Sequence, residues 1–550
     1  MLLHCLRVTT VPVLCISLLA SCNGSSTDSG GNTSLPAEIS AIMSKSRYAS
    51  AKSQWTMVVM DARTGEVIYA LEPDRLSFTG SVRKLFSVGM ALNTLGAGHR
   101  FETPVYRNGS IDTQGVLTGD LVLVASGDLT FGGRTRADGS LDYKDFDHNE
   151  AIAFGGAGLT PENPLAAIED LARQVRASGI ERVSGDIVID DRLFESFRVP
   201  NGNVLISPML INENLIDVTF APGAQIGQPA QPDWRPKTSA FTIKGNPVTV
   251  AANTAANISL SGDNANDSSL RCIGIVGCQG AISSMASLIA PATIPLDYKA
   301  PLIGSPDFVG VLRIEDPASF ARIAFIDALM RAGVVVDASA ITKNPTHKLP
   351  AASSYAIATR VGHFTSPPYS EYAKLILKVS LNTGANLSLM HAGLARGQRT
   401  VATALTAERT MLVNDIGLDP AGFEFPTNGS GSPDSRATPR MTAKLAAVMS
   451  TRPNYAAYRA SLPLLGIDGS VASVGKNVPG KEHIAVKSGA TVRNGEIAAI
   501  SMAGYIDAKS GRTLAFALFV NDAGPLTAIE DTLEVFEDEA QIAGIIYDKN

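Results

Sequence analysis

Histidine and cysteine are scarce in this chain, seven and five among 550 residues. No two histidines stand at metal-ligand spacing and no Cys/His cluster has the pattern of a zinc site, so nothing in the sequence calls for a metal or another cofactor. No local pattern proposes a Ser-His-Asp triad either. Positive charge is not in excess: 46 Lys and Arg against 52 Asp and Glu give a net charge of −6, and with it no electrostatic footprint for nucleic acid. No fixed-period repeat is visible, and past the N-terminus no apolar run is long enough to span a bilayer. What is present is ordinary globular material, 45% hydrophobic and 18% charged, in a chain long enough for several domains and a large core.

The N-terminus reads as an export signal. His4 and Arg7 precede an apolar run over residues 8–20 that is too short for a comfortable membrane span. It ends in Leu19-Ala20-Ser21-Cys22, which resembles the bacterial lipobox, whose cysteine is lipidated after cleavage; a plain signal peptide with an incidental cysteine is the alternative. Residues 23–36, rich in Gly, Ser, Thr and Asn, follow as a flexible tether. The lipobox resemblance implies a lipid anchor on Cys22, and Asn23 behind it implies the outer membrane of the periplasm. Cys5 and Cys15 leave with the signal. Cys272 and Cys278 would close a small loop disulfide in such an oxidising compartment, two free buried thiols being the alternative.

Along the mature chain, strand patterns occupy residues 55–60 and 66–70 around a turn at 61–65, and a helical period runs from about 81 to 95. Residues 116–125 and 184–191 are strand-like, 164–178 and 316–333 helical, and 221–283 rich in short strands and loops. Helices are predicted at 369–379, 386–395, 438–449 and 526–546, and strands at 484–486, 497–506 and 513–520. Three short motifs stand out on this background. Ser81-Val82-Arg83-Lys84 opens the first helical run, and three residues of helix put its serine and lysine on one face, Cβ atoms roughly 5–6 Å apart. Backbone N–H groups at that helix start suit a developing negative charge. Ser380-Leu381-Asn382 ends the helix at 369–379, and Lys487-Ser488-Gly489 follows a strand. Ser473-Val474-Gly475-Lys476 and Lys509-Ser510-Gly511 repeat two of the patterns in turn-like surroundings and read as decoys.

In this order the three motifs form the signature of penicillin-recognising serine enzymes. The stretch from Val58 to Phe86 resembles the class C low-molecular-mass penicillin-binding proteins, the D-alanyl-D-alanine carboxypeptidase/endopeptidase family. Further landmarks agree: Ser184-Gly185-Asp186, Asn212-Glu213-Asn214, Asn428-Gly429-Ser430-Gly431 and Gly466-Ile467-Asp468-Gly469-Ser470. Ser380 stands 299 positions (380 − 81) after Ser81, where a class A β-lactamase has a short segment and this family inserts extra domains. Thr79-Gly80 replaces the usual Pro-Ala, and Leu381 and Ser488 replace residues that are often Asp or Asn, and Thr.

The resemblance implies an α+β fold: a β-lactamase-like transpeptidase domain with an antiparallel sheet packed on helices. That domain is split in sequence, 37–101 with 351–550, by β-containing inserted domains at 102–350. It also implies a serine hydrolase of peptidoglycan stem peptides, acylated by β-lactams. Ser81 would be the nucleophile, Lys84 the base, Ser380 the proton relay, Asn382 the orienter and Lys487 a second cation. Ser81 and Ala490 would supply oxyanion N–H groups, with Ser488 and Thr491 holding the substrate carboxylate. A lysine with an unperturbed pKa near 10.4 is neutral about once in 2,500 molecules at pH 7, so burial and the neighbouring cation are expected to lower it. Glu195 or Arg198 would be the insertion's contacts to the diamino acid. A β-lactamase-like hydrolase and a non-catalytic, lipid-anchored wall-binding protein of the same fold are the rivals; carboxypeptidase and endopeptidase action are not distinguished.

Overall fold

The structure is a computed structural model that describes residues 33–148, 157–262, 272–273, 284–300 and 303–550. The export signal, Cys22, most of the tether and Cys278 lie outside the described residues. Of Cys272 only the backbone is described, in the short strand Cys272–Ile273.

Apolar residues alternate on two faces along strands drawn from both ends of the chain, and these pair into one antiparallel sheet. Its five strands run in the order Val67–Leu71, Gln54–Asp61, Thr513–Asn521, Glu496–Asp507, Ile484–Arg493. Val58, Met60, Ala503, Tyr505 and Phe519 enter one core, under the helices Lys84–Leu95, Tyr369–Val379, Asn382–Leu394 and Pro439–Met449. Met57, Val59, Met502, Leu518 and Val520 enter the other, closed by Ile529–Lys549 and the N-terminal helix Ala37–Met43. A side chain such as Leu518 or Phe519, fully buried in either layer, contributes ~1.5–3 kcal/mol. Both faces are covered, which explains why Thr513–Asn521 reads as a nearly unbroken apolar run.

The segment between the first two motifs builds a third core on its own sheets. One runs Val335–Val336, Arg182–Val183, Val116–Val124, Glu102–Ile111, Arg360–Thr365, with Ile187–Asp190 also on Val116–Val124. Another contains Pro232–Arg235, Leu215–Phe220, Phe308–Ile314 and Cys272–Ile273. Near the motifs several details differ from the sequence expectation, and Lys487-Ser488-Gly489 lies within the strand Ile484–Arg493 rather than after one. Ser81 lies in a 3-10 turn, Gly80–Arg83, and the α-helix begins only at Lys84. The helix expected from 386 starts at Asn382, and a helix at Val401–Asn414 was not anticipated.

Candidate active site

Glycine permits the tight turn that carries the nucleophile. Gly80 has φ +46°, and a Cβ there would lie 2.6 Å from Ala490 N. On the strand side Gly489 meets the same turn, and its Cβ would lie 2.5 Å from Thr79 O and 2.6 Å from Ser81 N. The first and third motifs are therefore in backbone contact, with the main chain of Ser81 against that of Gly489 and Ala490.

From the turn the chain passes straight into Lys84–Leu95, whose residues from Lys84 to Leu92 are all buried. Lys84 is 0% exposed; its Nζ donates to Asn382 Oδ1 at 2.7 Å and Ser430 O at 3.1 Å, and lies 2.6 Å from Ser81 Oγ and 3.4 Å from Ser380 Oγ, two hydroxyls that can give or take the proton. The second motif reaches this position because it is a corner. Ser380 ends Tyr369–Val379 in the left-handed region, φ 67° and ψ 35°, and Asn382 opens the next helix. A non-glycine residue held there costs of order 1–3 kcal/mol. Leu381, between them, is fully buried in the helical core, consistent with an apolar middle residue.

Lys487 is also fully buried, and its Nζ donates to Ser488 O at 2.6 Å. Ser488 Oγ pairs with Ser470 Oγ at 3.2 Å. Thr491 Oγ1 pairs with Ser432 Oγ at 2.9 Å, and Ser432 Oγ donates to Ala490 O at 3.1 Å. The loop 428–432, which the sequence suggests as a loop shaping the cleft, thus joins the third-motif strand to Lys84. Asn386, one turn beyond Asn382 and fully buried, was missed; the four-residue spacing on one helix face was the available signal.

The remaining candidates lie in other surroundings. Ser473 and Lys476 sit in irregular turns rather than before a helix, and Lys509-Ser510-Gly511 forms the turn between two sheet strands. Asp190, at the end of a strand in the insertion, accepts from the Arg192 guanidinium and from Tyr355 Oη. Arg198 pairs with Glu315. Carboxylate and imidazole atoms of Asp147, His148 and Glu213 lie within 4.8 Å of one another. Arg134 already donates to both carboxylates there, which makes the group an ion-pair network.

Comparisons with known proteins cover nearly the whole chain. The D-alanyl-D-alanine carboxypeptidase of Actinomadura sp. (strain R39) is 25% identical over 554 residues, covering 96% of this chain and 89% of that one. The crystal structure of penicillin binding protein 4 (dacB) from Haemophilus influenzae superposes with a TM-score of 0.63 at 16% identity, over 93% of this chain and 99% of the other. The same protein complexed with a β-lactam gives 0.62 at 15% identity over the same shares. A family profile matches residues 35–289 and 305–540, nearly all of the described chain, with the split sheet and all three motifs inside it. By that match the chain belongs to the D-Ala-D-Ala carboxypeptidase 3 (S13) family.

Proposed function

We propose that the protein is a serine-type D-Ala-D-Ala carboxypeptidase that hydrolyses peptidoglycan stem peptides through an acyl-enzyme on Ser81. The observation that carries this is the buried Lys84 Nζ, 2.6 Å from Ser81 Oγ and 2.7 Å from Asn382 Oδ1, with the Lys487 strand in backbone contact with Ser81. Ser81 Oγ bonds to the carbonyl carbon of the penultimate D-alanine while its proton passes to Lys84. Charge on the carbonyl oxygen is taken up by the N–H groups of Ser81 and Ala490, one such donor being worth about 3–4 kcal/mol. The C–N bond breaks as Ser380 relays the proton to the departing amine, and water then hydrolyses the ester. Lys487, with Ser488 and Thr491, receives the terminal carboxylate. A β-lactam acylates the same serine, in keeping with the β-lactam complex of the H. influenzae relative.

The catalytic unit is residues 37–101 with 351–550, and 102–350 is the insertion. Its seam is the strand Arg360–Thr365, which pairs with Glu102–Ile111. The enzyme works in the periplasm, tethered to the outer membrane through a lipid on Cys22; among the described residues no helix is long and apolar enough to cross a membrane. Cys22→Ala is expected to abolish incorporation of labelled palmitate and release the protein to the soluble fraction.

Labelling with a fluorescent penicillin tests the reaction. Wild type is expected to label and to release D-alanine from a pentapeptide, whereas Ser81→Ala does neither. Equal labelling of both defeats the assignment of Ser81, and rapid turnover of nitrocefin replaces the peptidase with a β-lactamase.

A further inference from the structure

A lysine that takes a proton from serine must aim a lone pair at the hydroxyl, and its other neighbours decide where that lone pair points. A neutral amine has two N–H donors and one lone pair. Asn382 Oδ1 at 2.7 Å and the main-chain carbonyl of Ser430 at 3.1 Å can only accept. Ser81 Oγ, at 2.6 Å, has a proton to give. Two donors placed on two acceptor oxygens leave the lone pair for Ser81.

The Ser430 carbonyl is itself held on both sides. Asn428 Oδ1 accepts from the N–H groups of Ser430 and Gly431, at 2.8 Å each, and from Ser430 Oγ at 3.0 Å. Asn386 Nδ2 donates to Asn382 O at 2.9 Å and to Ser430 Oγ at 3.1 Å, while its Oδ1 accepts from Gly429 N at 2.8 Å. One side chain thereby links the two residues whose oxygens flank Lys84, and Asn386, Asn428 and Ser430 are all essentially buried.

We propose that Ser430, through its main-chain carbonyl, is a catalytic acceptor for Lys84, and that Asn386 and Asn428 are the positioning residues that hold it. The inference rests on Lys84 being the base of the acyl transfer. As the Ser81 O–H bond breaks, the proton becomes the third N–H of an ammonium whose other two stay on Asn382 and Ser430. That third N–H is the one handed on through Ser380 to the departing amine. Among the described residues, the charged and titratable groups on the elements around Lys84 include Lys487, the Arg83–Glu408 and Lys378–Asp468 pairs, Tyr369, Tyr372 with its partner Asp128, His391 and Tyr458. The Arg83–Glu408 and Lys378–Asp468 pairs are made without Asn386, so replacing Asn386 leaves them in place.

The test is the second-order rate of acylation by fluorescent penicillin across the pH range, for wild type, Asn386→Ala and Ser430→Ala. A carbonyl acceptor stabilises the ammonium more than the amine, so loosening it moves the acid limb of the profile to lower pH. For Asn386→Ala the expected shift is about one unit, with a plateau reduced ~10-fold. Ser430→Ala keeps the carbonyl and the grip of Asn428 on the main chain, and its shift should have the same sign and be smaller. An Asn386→Ala protein that labels to full stoichiometry with its acid limb unmoved overturns the proposal, even if it is slower. Should that variant fail to fold, Ser430→Ala decides alone: a shifted limb supports the proposal and an unshifted one overturns it. A wild type that does not label overturns the acyl-transfer reading itself, before any variant is compared.

Discussion

Arg83 stands between Ser81 and Lys84 in the sequence, yet its side chain serves neither directly. It is 0% exposed and makes a bidentate pair with Glu408, one contact being 3.0 Å, while its guanidinium lies 4.0 Å from the centre of the Phe425 ring. Removing one member of such a buried pair strands the other charge, which costs ~3–5 kcal/mol. Glu408→Ala is therefore expected to lower the unfolding free energy in denaturant by about that much. The double change Arg83→Met with Glu408→Leu should lose markedly less; equal losses would mean the pair holds nothing. Within the first motif the sequence revealed the serine and lysine because their spacing is local. It was silent on Arg83, whose partner stands 325 positions away and is fixed only by tertiary packing. Gly489 is legible for the opposite reason. The motif names it, and the structure adds the cause, a strand backbone pressed on Ser81 N and Thr79 O. Gly489→Ala should cut penicillin acylation by ~100-fold or more while leaving global unfolding cooperative, since the displaced atoms include an oxyanion donor.

Between residues, the element that matters most is the corner linking Tyr369–Val379 to Asn382–Leu394. Its hinge residue, Ser380, holds a positive φ that glycine would adopt without strain. Ser380→Gly should therefore raise the unfolding free energy by up to ~1 kcal/mol while slowing acylation, because it relieves the backbone and deletes the relay hydroxyl. A variant that is less stable than wild type would show that the hydroxyl, rather than the backbone, dominates this corner. The first of these helices was legible from its amphipathic stripe. The second was placed four residues late because nearly all of it is buried, so no polar face marks where it begins. Val401–Asn414 was missed from the other direction: it buries little besides Ala404, Glu408, Met411 and Leu412, and one of those four is an acid. A period-based reading discounts a glutamate that the fold places inside.

On the scale of the whole molecule, strand existence was legible from alternation, but the pairing of Gln54–Asp61 with Thr513–Asn521 was not; the family resemblance implied only an antiparallel sheet in a domain split between the two ends of the chain. In the insertion the strands Val116–Val124 and Ile187–Asp190 and the helices Ala166–Ala177 and Pro317–Arg331 were legible as well, whereas a buried ionic cluster spread over distant segments was not. His148 Nδ1 lies 2.6 Å from Asp217 Oδ1 and its Nε2 3.4 Å from Glu213, while Arg134 and Arg235 balance the carboxylates. Burial opposes the charge on His148, but Asp217, Glu213 and Asp147 outweigh it and hold the imidazolium up to about 10. His391 is the reverse case. It is buried between Phe101 and the Gly127 carbonyl, and burial pushes it down to about 4. The unfolded value for both is near 6.5. A folded value above that gives stability that is complete below pH ~6.5 and lost as pH climbs through about 10. A folded value below it gives stability present above pH ~6.5 and lost as pH falls toward about 4, worth roughly 3 kcal/mol for His391. Unfolding free energy should therefore peak near neutrality and decline on both sides, more than surface groups would produce. His148→Gln, which removes only the titrating cation, should be less stable at neutral pH and lose much of the alkaline slope. The comparison to make is the slope of chemical-denaturation stability above neutrality in the two proteins. Parallel slopes would mean that the cluster keeps its charges by some other route and that His148 is not its switchable member.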